Sequence, residues 1–563
     1  MAMGVESTKA PDQTTSVLAT TRAANIHGAG GRAVAPTIAV VLASLLLLWG
    51  MADKYLWQDE AQTAVLGDRI LRFGRPLAYD GLNLITVDSI VGEDARTIDQ
   101  RTVSPQAAID YYVARGDFKP DTTWRFHPWG QYIVCAASMK VLGQTTIAAR
   151  LPFAIAGIIT VLLLYRWVKV YFGSPLMAQI ATALLVFNAY WILHARQCRY
   201  YSLSSLFLVL TLIGYTFWQR RGPWGATFFL IAAWCWFQVD YGTVWPVLGV
   251  LFVDAFVAAG RNFWRPALVG VALSATMAPF IFYYELWNRL AAQESTWQTR
   301  FKFAVFNTNE YVVPVPIVLA ALALVAWRWK TLPTPERRLL LIACGIIFAL
   351  AIWVPSVAPS ALLRYVIIAA PVGCLLCAWV LVRGCNLRTT YAWLGAAVLA
   401  LTPWLSLPLH LLNPAPPWYP NIPVFRAELS TLRREVFAHR PDPNRLVIEW
   451  LKQNASPTDE ILINYEDLPL IFYLPNPIRG GIAAFRAEDD AKKPPSFLVI
   501  RQTVSFVHWP VFQREVGRYH WIVAPLEAPD VMWGNNPDPM AQTQDFTTER
   551  KIIVARRVAG MGR

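Results

Sequence analysis

The chain has 563 residues, 55% of them hydrophobic and only 15% charged, with a mean hydropathy of +0.36 and a formal net charge of +13. That composition excludes an ordinary soluble globular protein and points to a polytopic membrane protein, whose few charges must fall in loops or earn a special role.

A bilayer core asks for about 20 apolar residues per crossing helix. Apolar runs of that kind recur at about 33–52, 151–168, 175–194, 202–219, 223–239, 241–259, 266–284, 311–327, 339–356, 365–382 and 389–409, which predicts about eleven transmembrane helices. Residues 1–32 are rich in Ala, Thr, Ser and Gly. No tidy cleavage site follows the first apolar run, so it is expected to stay as an anchor. Lys and Arg number 15 in the short segments on the N-terminal side of the membrane and 6 in the short segments opposite. Positive charge is retained on the cytoplasmic side. The 1–32 tail is therefore expected in the cytoplasm of an inner-membrane protein, and the two long segments, 53–150 and 411–563, in the periplasm.

The first long segment opens with WQDEAQTAVLGDRIL, Trp57 to Leu71, directly after the first apolar run. Asp59 and Glu60 are adjacent acids that repel each other and are costly beside hydrocarbon. They serve either a helix first turn, where acids favour the dipole, or a chemical purpose. The segment closes with RFHPWGQYIVCAASMKVLG, residues 125–143, whose uncharged centre is too short to span. It reads as an interfacial helix with Trp129 and Tyr132 at headgroup depth, and it is predicted to bring His127 near Asp59.

Three cations stand out among the short outer segments: Arg196 and Arg199 in ARQCRYYSL (195–203), and Arg364, which divides the uncharged runs 339–363 and 365–382. A charge so placed is expensive unless used. Asp254 is the main charge inside a predicted span, and no internal repeat is evident, which disfavours the rival reading of a lipid or sugar transporter or flippase. A receptor or scaffold is the third alternative.

The second long segment starts with the Pro-rich linker NPAPPWYPNIP. A helical pattern, NRLVIEWLKQNA, follows, then strand-like runs in EILINYED, SFLVIRQ, HWIVAPL and RKIIVARRV, which predict a soluble α/β domain. None of the seven cysteines lies in it. Cys374 and Cys377 have metal-like spacing but no second Cys or His pair, and read as small residues of a membrane helix.

The outward acid pair, the His-Pro-aromatic before an interfacial helix, LGQTTIAARLPFAIAGIITVLLLY (142–165), ARQCRYYSL and RYVIIAAPVGCLL (364–376) together resemble the GT-C class of membrane glycosyltransferases. The pattern is most similar to the bacterial branch of aminoarabinose transferase, protein mannosyltransferases and rhizobial lipopolysaccharide sugar transferases, over roughly residues 33–410. The resemblance implies a polyprenyl-phosphate-linked sugar donor, a glycan, lipid or protein acceptor, and transfer on the non-cytoplasmic face with inversion. A nucleic-acid partner is not expected. An alcohol is a poor nucleophile and needs a carboxylate to take its proton, the role given to Asp59. Glu60 orients the acceptor or shares a divalent metal ion, which the residues leave open. Arg364 with its neighbour Tyr365, Arg199 and His127 are the candidates for the donor phosphate, and Arg196, Tyr200 and Asp240 are further candidates. Where these relatives often carry a second outer acid, this chain has Arg199, Tyr200 and Tyr201, and Asp240 is the nearest replacement.

Overall fold

The computed structural model describes residues 29–85, 105–287, 297–357, 363–412, 424–438, 441–480, 495–502, 519–531, 535–536 and 548–562. Most of the 1–32 tail and the Pro-rich linker at 413–423 lie outside the described residues.

The apolar helix α1 (Ala29–Leu48) is followed by α2 (Gln58–Phe73), with Asp59 and Glu60 in its first turn. Gly74, at φ 75°, ends α2 in the left-handed conformation that glycine adopts without strain. The predicted interfacial helix is α3 (Gly130–Leu142), and it lies directly on α2. Gly67 permits that approach, because a Cβ there would stand 3.0 Å from Met139 Cε and 3.3 Å from the Ala136 nitrogen. Then come α4 (Thr146–Phe172), α5 (Tyr201–Arg221) and α6 (Tyr241–Ala259).

Among the described residues six helices are long and apolar enough to cross a membrane: α4, α5, α6, Trp264–Tyr284, Thr334–Ser356 and Ile367–Gly384. The number rises to eight if each of two bent pairs counts as one span, and Pro36–Leu48 and Thr389–Leu401 are shorter apolar helices. With Pro223–Val239, a helix of 17 residues, all eleven expected runs fall on helices, but two of them are bent and three are shorter than a full crossing, because an apolar run does not guarantee a long unbroken helix. Pro175–Val186 and Ala189–Ala195 meet at 67°. There Asn188 caps the second piece, its Oδ1 accepting from the Trp191 N–H at 2.9 Å. Arg300–Val312 and Val315–Trp327 meet at 82°, around Pro314, which has no N–H to continue the ladder. Asp254, the acid inside a span, is paired with Arg338 at 2.5 Å and accepts from the Tyr215 hydroxyl.

The C-terminal part is an α/β unit. Helix α7 (Pro443–Asn454), capped by the Asp442 side chain, precedes β1 (Ile461–Ile463), α8 (Asp467–Tyr473), β2 (Ile478–Arg479), β3 (Phe497–Ile500), β4 (Tyr519–Val523) and β5 (Ile553–Gly562). The strand order is β2-β1-β3-β5-β4, with β1 parallel to β2 and β3, and β5 antiparallel to β3 and β4. Val447, Ile448 and Leu451 of α7 bury against Ile461, Ile463, Phe497, Val499 and Val554 of the sheet. The predicted helix and all four predicted strands are present.

This unit docks on the start of α2 and so fixes the site. Tyr473 stacks on Tyr55 at 4.0 Å, shares a 2.7 Å hydrogen bond with the Thr146 hydroxyl, and accepts from the Leu56 N–H at 3.1 Å. Gln58 donates to Asp467 at 2.8 Å and accepts from the Leu468 N–H at 3.2 Å. Asn83 donates to the Asn476 carbonyl and accepts from the Ile478 N–H.

Candidate active site

The first turn of α2 gives its two acids opposite surroundings. Glu60 is fully buried. Arg150 of α4 grips it with two hydrogen bonds, Nε to Oε1 at 2.8 Å and Nη2 to Oε2 at 2.6 Å, and the Cys198 N–H donates to Oε1 at 2.9 Å. The same Arg150 also donates to the carbonyls of Met51, Lys54 and Tyr55. Both Glu60 oxygens are thus engaged in holding α4, the 51–55 segment and the 198 backbone together. The expectation that Glu60 meets an acceptor or a metal is not what this geometry offers, since freeing it would strand a buried guanidinium.

Asp59 is partly open, with 17% of its side chain exposed. Arg364 Nη1 donates to its Oδ2 at 2.5 Å and Arg199 Nη2 approaches the same oxygen at 3.6 Å. These two arginines are the ion-pair partners of Asp59 among the described residues, and Oδ1 has no hydrogen-bond partner there. Arg199 is anchored by neutral acceptors: the Asp59 carbonyl at 3.2 Å, Gln62 Oε1 at 3.1 Å and Thr63 Oγ1 at 3.4 Å. Its buried Nε has no hydrogen-bond partner among the described residues. Burial opposes the charge of Arg199, yet Asp59 together with Tyr201, Tyr200 and Tyr132 outweighs it and holds the guanidinium above its ordinary pKa. Burial likewise opposes the charge of Arg364, and Tyr365 and Asp59 outweigh it.

Arg364 lies over the Tyr365 ring at 5.4 Å, and Arg199 lies over Tyr200 at 5.7 Å. Tyr200 packs against Tyr201 at 4.7 Å between ring centres. The structure therefore gathers Asp59, Arg199, Arg364, Tyr200 and Tyr365 into one constellation from segments about 140 and 300 residues apart.

The remaining candidates serve other ends. Arg196 donates to the Leu46 and Trp49 carbonyls, both at 2.7 Å, and so closes the end of α1. Asp240 caps α6: its carboxylate accepts from the Gly242 N–H at 3.0 Å, the Ser204 hydroxyl at 3.3 Å and the Thr243 hydroxyl at 2.5 Å. Burial pushes its carboxyl up despite those donors. His127 sits among aromatic rings, 4.5 Å from Phe126 and 6.4 Å from Trp124 between centres, and is not among the partners of the Asp59 carboxylate. Among the described residues no group of three or more His, Cys, Asp or Glu side chains converges as a metal site would.

Arg150 was not singled out from the sequence, although a signal existed. It is the one charge in LGQTTIAARLPFAIAGIITVLLLY, and a charge at the head of an apolar helix demands a partner.

No protein-family model matches the chain, and no curated protein matches it in sequence. Among solved structures it is similar to ArnT from Cupriavidus metallidurans. The form bound to undecaprenyl phosphate is 14% identical, with a TM-score of 0.56 over 95% of this chain and 99% of that one. The apo form is also 14% identical, with a TM-score of 0.55 over 96% and 100%. At that identity the likeness speaks for architecture: the chain shares the fold of these structures, a polytopic α-helical bundle carrying a small α/β domain.

Proposed function

We propose that this protein transfers a sugar from a polyprenyl-phosphate-linked donor to an acceptor hydroxyl on the extracytoplasmic face of the membrane, in a single inverting displacement. The observation that carries this reading is a carboxylate, Asp59, one oxygen of which, Oδ1, has no hydrogen-bond partner among the described residues, set beside two guanidiniums at the head of the helical bundle. The side is argued from the asymmetry of Lys and Arg between the loops, which puts residue 59 away from the cytoplasm. Similarity to a structure bound to undecaprenyl phosphate supports a lipid-phosphate donor.

In this reading Asp59 takes the acceptor's proton as its oxygen attacks the anomeric carbon. The phosphate leaves from the opposite face of the sugar, and Arg199 and Arg364 stabilise the charge that collects on it. Glu60 acts through Arg150 as a positioning residue. The α/β domain holds the first turn of α2 and adds a wall where the acceptor can be selected.

The test is purified protein in proteoliposomes with a polyprenyl phosphate sugar and candidate acceptors, following release of free polyprenyl phosphate. Asp59→Asn keeps the shape but cannot take a proton, so transfer should slow by about 10²–10⁴. Lipid moved between leaflets without release of polyprenyl phosphate would replace the transferase reading with a flippase.

A further inference from the structure

The charges of the candidate site do not balance, and the imbalance suggests how its base is switched on. Arg199 and Arg364 bring two positive charges to one carboxylate oxygen. Glu60, the neighbouring acid, is already matched by Arg150. The other groups against the pair, Tyr200, Tyr365, Gln62 and Thr63, are neutral. Among the described residues the cluster is therefore short of one negative charge. It also holds spare donors: Asp59 is the only hydrogen-bond acceptor of the Arg364 side chain among the described residues, and Arg199 Nε has none. A guanidinium offers five N–H donors in a fixed fork suited to a phosphate.

Resting on the reading above, we infer that Asp59 is a place-holder for the donor's phosphate: it is the counter-ion of Arg199 and Arg364 in the empty site, and the arriving phosphate takes both arginines and frees the carboxylate to act as base. The charge count closes at each stage. A phosphodiester donor, at one negative charge, brings two arginines and one carboxylate to neutrality. In the transfer step the acceptor oxygen bonds to the anomeric carbon, and the bond from that carbon to the phosphate oxygen breaks with its electron pair left on the phosphate. The acceptor's proton passes to Asp59. Asp59 is now neutral and the lipid phosphate carries two negative charges, so the sum stays at zero. When Asp59 loses its proton to water, carboxylate and phosphate again compete for the same arginines, and the product lipid is expelled. The same device orders the reaction: without donor, the base is held in an ion pair and an acceptor meets no free carboxylate.

The test is the affinity for polyprenyl monophosphate of defined chain length, measured in nanodiscs with the parent protein, Asp59→Asn and Asp59→Ser. Removing the competing carboxylate should tighten binding by about tenfold in both variants, because the phosphate no longer displaces an ion pair. The Ser variant keeps the experiment decisive should the Asn variant fail to fold. Equal or weaker binding in the folded variants overturns the place-holder. If transfer collapses in Asp59→Asn while affinity stays at the parent value, this inference falls and the transferase reading stands. If transfer continues at the parent rate, the base assignment itself falls.

Discussion

Two acid–arginine clusters in this molecule are mirror images in charge, and the contrast separates a structural cluster from one built to receive something. In the α/β domain a single buried Arg501 serves two acids: Nε donates to Asp530 at 2.9 Å and Nη1 to Glu466, while Nη2 donates to the Val531 carbonyl at 2.9 Å. Every nitrogen of that guanidinium is used, and the excess charge is negative. Burial pushes Glu466 up against the pull of Arg501, the direction in which a proton relieves the surplus. At the head of α2, among the described residues, two arginines serve one acid, the excess is positive, and donors remain unspent. An arginine cannot shed its proton at accessible pH. A site with surplus guanidinium must therefore find an anion elsewhere, whereas a site with surplus carboxylate can neutralise itself.

The sharpest way to break that contrast is to apply one substitution to two neighbouring residues. Glu60→Gln leaves Arg150 charged and unpaired in a buried setting, which should cost about 3–5 kcal/mol of stability. Asp59→Asn also takes a counter-ion from a buried guanidinium, Arg199, but that side chain keeps the Asp59 carbonyl, Gln62 and Thr63 as acceptors and Arg364 is partly open to solvent, so the loss should be smaller, about 1–3 kcal/mol. Thermal unfolding in one detergent compares the two directly. Equal losses would mean that the acids are not divided into a holding one and a working one.

Arg501→Met probes the other cluster. Glu466 is raised in the folded protein, first by burial and against the pull of Arg501. An acid so raised contributes stability that is present below its unfolded pKa and lost as pH climbs through the folded value. Without Arg501 that loss grows. The variant should be destabilised by about 3 kcal/mol at pH 8 and clearly less at pH 5. Limited proteolysis of the α/β domain in the full chain at the two pH values gives the readout. A deficit independent of pH would show that Glu466 does not supply the balancing proton.

Much of this arrangement is visible in the sequence because it rests on local pattern. The acid pair after the first apolar run, the short helix over 130–142 and the strands of the α/β domain follow from periodicity and from charges set against apolar runs. The division of labour between Asp59 and Glu60 does not, because it depends on Arg150, 90 residues away, choosing one of two adjacent carboxylates. Proximity of His127 to Asp59 is expected from the short helix that closes the outer loop; in the structure the ring packs on Phe126 and faces Trp124, and the partners of the Asp59 carboxylate are Arg364 and Arg199. The helix breaks at Asn188 and Pro314 were hidden for a related reason. Each lies in an apolar run whose composition satisfies a span while one residue interrupts its hydrogen bonding.

The smallest expected effect concerns the coupling between the two regions. Gln58, the residue before Asp59, exchanges two hydrogen bonds with the start of α8, one to the buried Asp467 carboxylate and one from the Leu468 N–H. Burial raises Asp467, and the Gln58 amide is the side-chain donor that opposes it. Gln58→Ala removes both contacts and should weaken docking by about 1–3 kcal/mol, while the Tyr55–Tyr473 stack keeps the domain in place. The first turn of α2 then loses part of its support, so transfer should slow by about threefold to tenfold, with polyprenyl phosphate binding unchanged. Asp467→Asn tests whether the cause is this contact: in a double-mutant cycle the two substitutions should couple by about 1 kcal/mol. Strict additivity would mean that the aromatic contact alone seats the domain, and that the position of the acid pair is set within the membrane bundle.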